Sequence, residues 1–160
     1  MKITNMRLGI ASALTGINGT GSWAVDLSGS SQVIHGIYAT PPRAGLPAVM
    51  IGSWGIERTR GPQLGRYEQE ALFPLLCWAP APTDDAGARM LAIETMVNDI
   101  VIALETSARV SGGALQTAGA YDVLIKSIGD VEGLNGDIGG FAVFVVGVLL
   151  YSRADKLGGV

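Results

Sequence analysis

A single histidine, a single cysteine and a scatter of carboxylates are what this 160-residue chain offers for chemistry. His35 lies in "VIHGIYAT" between Ile34 and Gly36. As a general base it would need a nucleophile on a strained turn, and the sequence has no G-x-S-x-G elbow to hold one. A structural or surface histidine is the reading that remains. Cys77, between Leu76 and Trp78, reads as a small buried apolar residue; a nucleophilic thiol needs an electropositive, accessible setting. One His and one Cys cannot assemble a usual zinc site within a chain. "DVEGLNGD" supplies Asp130, Glu132, Asn135 and Asp137, but not the twelve-residue calcium loop with its closing Glu, so it reads as a solvated turn. The glycine clusters "GINGTG" and "GLNGDIGG" fit neither the strand-to-helix G-x-G-x-x-G pattern nor G-x-x-x-x-G-K-[ST]. The expectation is a protein without catalytic residues, cofactor or metal.

Residues suited to contact stand out more clearly. Arg58, Arg60 and Arg66, with Arg43 nearby, form the one basic concentration. No aromatics alternate with them as on a single-strand nucleic-acid platform, so a protein-contact surface is expected. Trp23, Trp54 and Trp78 sit beside loops or strand ends. Core anchoring and partner contact are both open for them, since Trp and Arg are enriched at interface hot spots. Trp54 adjoins the arginines. Trp54, Glu57, Arg58, Arg60 and Arg66 are therefore the candidate interface, with the arginines meeting acidic partners.

The elements that would hold these residues can be read from periodicity. Ile3, Met6, Ile10, Ala13, Leu14 and Ile17 recur at helical steps, and Gly16 is a fitting stop. A Gly/Ser-rich stretch over 18–31 reads as a flexible loop. "VIHGIYAT" and "LPAVMIGSW" read as strands, "GIERTRGPQLGR" as an exposed hairpin loop and "YEQEALFPLLCWAP" as a third strand. Pro74 within that strand implies an edge or a bulge, because proline donates no ladder hydrogen bond. The long helix "TDDAGARMLAIETMVNDIVIALETSA" has Thr83 or Asp84 as cap. Its expected buried stripe is Met90, Ile93, Val97, Ile100, Val101 and Leu104, with Asp99 largely outside. After a flexible connector come the strand "YDVLIKSIGDVE", with Val123 and Ile125 on one face, and its antiparallel partner "FAVFVVGVLLYSR". Residues 153–160 read as a frayed tail. The expected fold is one α+β domain spanning 1–160, a mostly antiparallel sheet of four or five strands with two helices packed on one face.

That final strand poses the central physical question. It is short of the roughly 17–25 apolar residues of a membrane-spanning helix and rich in Val and Phe, so it reads as a strand. Phe141, Val143, Val145, Leu149 and Tyr151 alternate with Phe144, Val146, Val148 and Leu150. Both faces are apolar, and two helices cover one. Charged residues are only 16% of the chain, against roughly 25% in ordinary soluble domains, and mean hydropathy is +0.36. Another subunit is the natural second cover.

Charge is unevenly spread. Residues 1–66 hold six Lys/Arg against two Asp/Glu, residues 67–160 five against twelve, and the net charge is −3. That balance does not fit tight DNA binding. The start, "MKITNMRLGIASALTG", has the positive residues of a signal peptide but a broken apolar run and no cleavage site. With one cysteine and no disulfide, a cytosolic product is expected.

The layout resembles the tail terminator (tail completion) proteins of long-tailed bacteriophages across residues 1–153. The likeness lies in the short first helix, the prolines of "PPRAGLPAVMIGSW" before a strand, and the charged segment after it. The strand "YEQEALFPLLCWAP", the long helix and the closing hairpin "YDVLIKSIGDVEGLNGDIGGFAVFVVGVLLYSR" follow in order. The 18–31 insertion departs from a minimal version. The resemblance implies a non-enzymatic structural virion protein, a ring, usually hexameric, at the head-proximal end of the tail. It would form in the host cytoplasm, stop tube growth and present the head-joining surface. Its partners would be copies of itself, the major tail tube protein and a head completion or connector protein. DNA would pass the lumen without sequence-specific binding, and no membrane is involved. Alternatives are a head–tail connector (neck) protein and, from another class, a small oligomeric cytosolic α+β enzyme or ligand-binding domain with a polar pocket around His35.

Overall fold

The computed structural model of the chain describes residues 2–36, 46–52, 55–63, 66–80, 86–130 and 138–152. Helix α1 (Lys2–Thr15) comes first, then strands β1 (Val33–His35), β2 (Ala48–Ile51), β3 (Gly55–Gln63) and β4 (Arg66–Pro80). Helices α2 (Ala86–Arg109) and α3 (Ala114–Thr117) precede β5 (Ala120–Asp130) and β6 (Ile138–Ser152). The architecture is α+β.

The finer expectations need correction. Among the described residues the sheet has six strands, ordered β1-β2-β4-β6-β5, with β3 beside β4. It is mixed, because β1 runs parallel to β2 while the other pairs are antiparallel. Among the described residues a short third helix, α3, lies within the segment expected as a flexible connector, beside the two expected helices.

The charged segment expected as a loop is strand β3. It runs antiparallel to the start of β4, with Arg58 opposite Glu70, Thr59 opposite Gln69 and Arg60 opposite Glu68. Alternating charges on the two segments fall into complementary register, and opposite charges at paired positions favour a ladder. The ladder is irregular between Ile56 and Arg58 and again between Arg60 and Gln63, where Gly61 and Pro62 interrupt regular pairing.

Pro74 is neither at an edge nor in a bulge of its own strand. β4 is flanked on both sides, and its pairing to β6 runs without a shift from Arg66 to Pro80. The Pro74 carbonyl accepts from the Gly52 N–H at 2.8 Å. A strand residue's N and C=O point the same way, so the donorless nitrogen faces the side of β2 and β3. There β2 ends opposite Leu75 and β3 begins opposite Leu72. The break between those strands sits where β4 has no donor to offer.

Below the sheet lies the core. Ala71, Phe73, Leu75, Cys77 and Ala79 on β4 are buried with Val49 and Ile51 of β2. Met6, Ile10 and Leu14 of α1 meet them, with Ile93, Met96, Ile100 and Leu104 of α2. Val123 is buried and Ile125 packs beside it, as their alternation requires. Gly147, the interruption in the last strand, has a packing reason. It stands opposite Ala71, and a Cβ there would run into the Met6 terminal methyl and come within 3.1 Å of its sulfur. The glycine lets α1 lie close on the sheet.

α2 is turned relative to the expected stripe. Met96, Asp99 and Ala103 are buried, whereas Met90 is exposed and Val97 and Val101 are half-buried. A helix apolar on most of its circumference does not announce which side faces the core. The loop over 18–31 is tied at several points. Leu27 is fully buried, its N–H donates to the Ile17 carbonyl at 2.7 Å, and Asn18 bridges to Asp26.

Candidate functional site: an apolar outer face and its hairpin

Strand geometry sorts β4 into two sides. The odd-numbered residues from Ala71 to Ala79 face the helices. Leu72, Pro74 and Leu76 lie on the outer side and are half-buried. Leu124 of β5, paired with Val146, is 48% exposed. In the backbone register of β6, Val146 stands opposite Leu72, Phe144 opposite Pro74 and Val148 opposite Glu70. At the β2 end this outer side is closed by the chain itself. Ala48, Met50 and Trp78 are buried yet stand outside the helix-side cluster. From Leu76 towards Leu124 it is partly open.

Beside it stands the β3–β4 hairpin, with its arginines and glutamates. The backbone register brings Arg58 and Arg60 opposite Glu70 and Glu68. Arg66 is paired on both flanks, to Gln63 and to Ser152. Glu57 falls at the first irregularity of the ladder. The hairpin thus places carboxylate-bearing residues in register with two of its own arginines. The signal was present: Glu68 and Glu70 alternate across from Arg58 and Arg60 about a short turn. Trp54 lies outside the described residues.

The chemical candidates do not converge. His35 is exposed at the end of β1. Cys77 is buried, and desolvation pushes its thiol well above the ordinary value of 9.0. Among the described residues, no three of His, Cys, Asp and Glu gather as a metal site, and no helix is long and apolar enough to cross a membrane. Two open grooves of about 640 and 280 Å³ run beside α1 and α3, with Ser12 and Ala114 shared between them. Neither lining holds a titratable side chain, so neither has the means for acid–base work. Of the segment read as a solvated turn, Asp130 ends β5 and residues 131–137 lie outside the described residues.

Two polar residues that sequence reading did not single out hold the frame of the site. Asp99, 2% exposed, accepts the backbone N–H groups of Ala24 at 2.8 Å and Val25 at 3.0 Å. It pins the 18–31 loop to α2. Arg7 donates to the Gly52 carbonyl at 2.6 Å and the Ile51 carbonyl at 3.3 Å. It therefore fixes the end of β2, immediately before the hairpin. Nothing in local spacing marks either role, because both use backbone groups far away in sequence.

No family model matches the chain, and no curated protein is significantly similar to it.

Proposed function

We propose that this chain is a structural virion protein whose copies form a ring, six-fold by its likeness to the tail terminator layout, capping the tail tube of a long-tailed phage. The ring ends tube polymerisation and offers the surface on which the head docks. The observation that carries the reading is the partly open apolar side of the sheet, from Leu76 through Leu72 to Leu124, in a chain with only 16% charged residues. Such a surface is stable when covered, and copies of the same chain are the cover always at hand. The tail terminator layout supplies the rest of the reading: tube protein on one side, connector protein on the other, and DNA passing through.

The work is done by matching surfaces, with no bond made or broken. A net charge of −3 suits a passage through which polyphosphate must slide, since a strongly cationic lining would hold it. No cofactor takes part.

The test is to add the purified protein to polymerising tail tube protein and measure tube lengths by electron microscopy. Tubes that stop growing and carry a terminal ring support the proposal. Tubes of unchanged length, with no ring, overturn it. Rings that bind a connector protein and ignore tubes would move the chain to the neck.

A further inference from the structure

The antiparallel register of β2 on β4 runs from Ala48 opposite Trp78 to Ile51 opposite Leu75. Carried one step further, it sets Gly52 opposite Pro74. Facing residues of an antiparallel ladder that share hydrogen bonds exchange two, one from each N–H. Here the first is made, since the Gly52 N–H donates to the Pro74 carbonyl at 2.8 Å. The second would have to come from Pro74, and proline has no N–H. Gly52 is buried, and a buried carbonyl left without a donor is costly. Arg7 fills the place: its Nη2 donates to the Gly52 carbonyl at 2.6 Å. Its Nη1 reaches the Ile51 carbonyl at 3.3 Å, which also accepts the Gly36 N–H at 2.8 Å. Beyond this point β4 changes partner, because β3 begins opposite Leu72.

We propose that Arg7 and Pro74 work as a matched pair, the guanidinium of α1 standing in for the ladder donor that the proline lacks, and that this clamp positions the β3–β4 hairpin. Pro74 stops β2 from pairing further along β4, so the chain is free to leave and return as β3. Arg7 holds the point of departure, because it ties the last two carbonyls of β2 to the first helix. A guanidinium suits the task, since its fixed fork of donors can serve two neighbouring carbonyls at once. A lysine in its place would bring a single point of charge. Arg7 is half-buried, so its bonds to the carbonyls are shielded in part from competing water. For function the inference rests on the hairpin being a contact surface, as the capping proposal takes it to be.

A double-mutant cycle read by amide hydrogen exchange tests it. Arg7→Met removes both donors and keeps an unbranched side chain, while Pro74→Val returns a backbone N–H to β4. In the otherwise native chain, Arg7→Met should speed exchange at the end of β2 and the start of β3 about tenfold or more, with the buried turns of α2 changed far less. In the Pro74→Val chain the same substitution should change those amides by about threefold or less, because the ladder then supplies its own donor. Arg7→Lys should fall between wild type and Arg7→Met, and it replaces Arg7→Met in the cycle if circular dichroism shows that chain unfolded; Pro74→Ala does the same for Pro74→Val. Effects of the two substitutions that simply multiply, or an equal acceleration over the whole chain, overturn the proposal. Tube capping is read separately. Arg7→Met chains should cap fewer tubes than wild type, and Arg7→Met/Pro74→Val chains should regain the loss. Full capping by Arg7→Met despite a loosened β3 refutes the link between clamp and contact. Wild-type chains that cap no tubes refute the tail assignment, and the exchange cycle still decides the clamp.

Discussion

Asp99 shows how much one residue can decide. Its carboxylate is buried and accepts two backbone N–H groups from the loop. Asp99→Ala leaves those donors without a partner and should cost about 2–3 kcal/mol, read by urea unfolding. Asp99→Asn keeps one acceptor and should recover part of the loss; equal stability of all three proteins would show that the loop is held otherwise. Cys77 carries a pH dependence with a definite sign. Its folded thiol is raised above the ordinary 9.0 by burial, so below that pH the thiol is neutral folded or unfolded. Above it the unfolded chain loses the proton and the folded chain does not, and stability falls as pH rises. Relative to Cys77→Ala, the wild type should lose up to about 1.4 kcal/mol per pH unit there. A constant difference between the two proteins across that range would contradict the buried position. Cys77 was legible in the sequence from its apolar neighbours. Asp99 was not, because its partners lie some 75 residues away.

Among elements, the hairpin is where sequence reading and structure part most usefully. Gly, Pro and arginine in "GIERTRGPQLGR" look like a loop until Glu68 and Glu70 are set across from Arg60 and Arg58. Cross-strand register is a nonlocal fact that composition does not hold. The same limit explains Pro74, whose tolerance depends on a break in the neighbouring strands. By contrast α1 was plain, since its buried residues Met6, Ile10 and Leu14 recur at four-residue steps. The pairing leads to a charge-swap prediction. Arg58→Glu/Arg60→Glu sets like charges at paired positions and should weaken the hairpin by about 0.2–1 kcal/mol per pair, and tube capping should fail. Adding Glu68→Arg/Glu70→Arg restores opposite charges within the hairpin. The account predicts restored stability with capping still lost, measured by thermal melting and tube length, because a partner reads the sign of the charges on β3. Capping restored with stability would confine the arginines to an internal role.

At the scale of the whole molecule, an α+β domain with a helix-covered sheet was legible from the order of its elements, and the strand count, the parallel pair and the third helix were not. Those depend on which segments pair, and short pieces such as Val33–His35 carry little periodic signal. What the composition did convey is a demand for cover, and the structure locates apolar surface on both of its outer layers. The central claim is that copies of the chain meet that demand. Native mass spectrometry of the purified protein at micromolar concentration tests it directly. The account predicts one closed species whose mass is a fixed multiple of 16.6 kDa, six-fold for the proposed ring. A lone 16.6 kDa species at every concentration tried would contradict it.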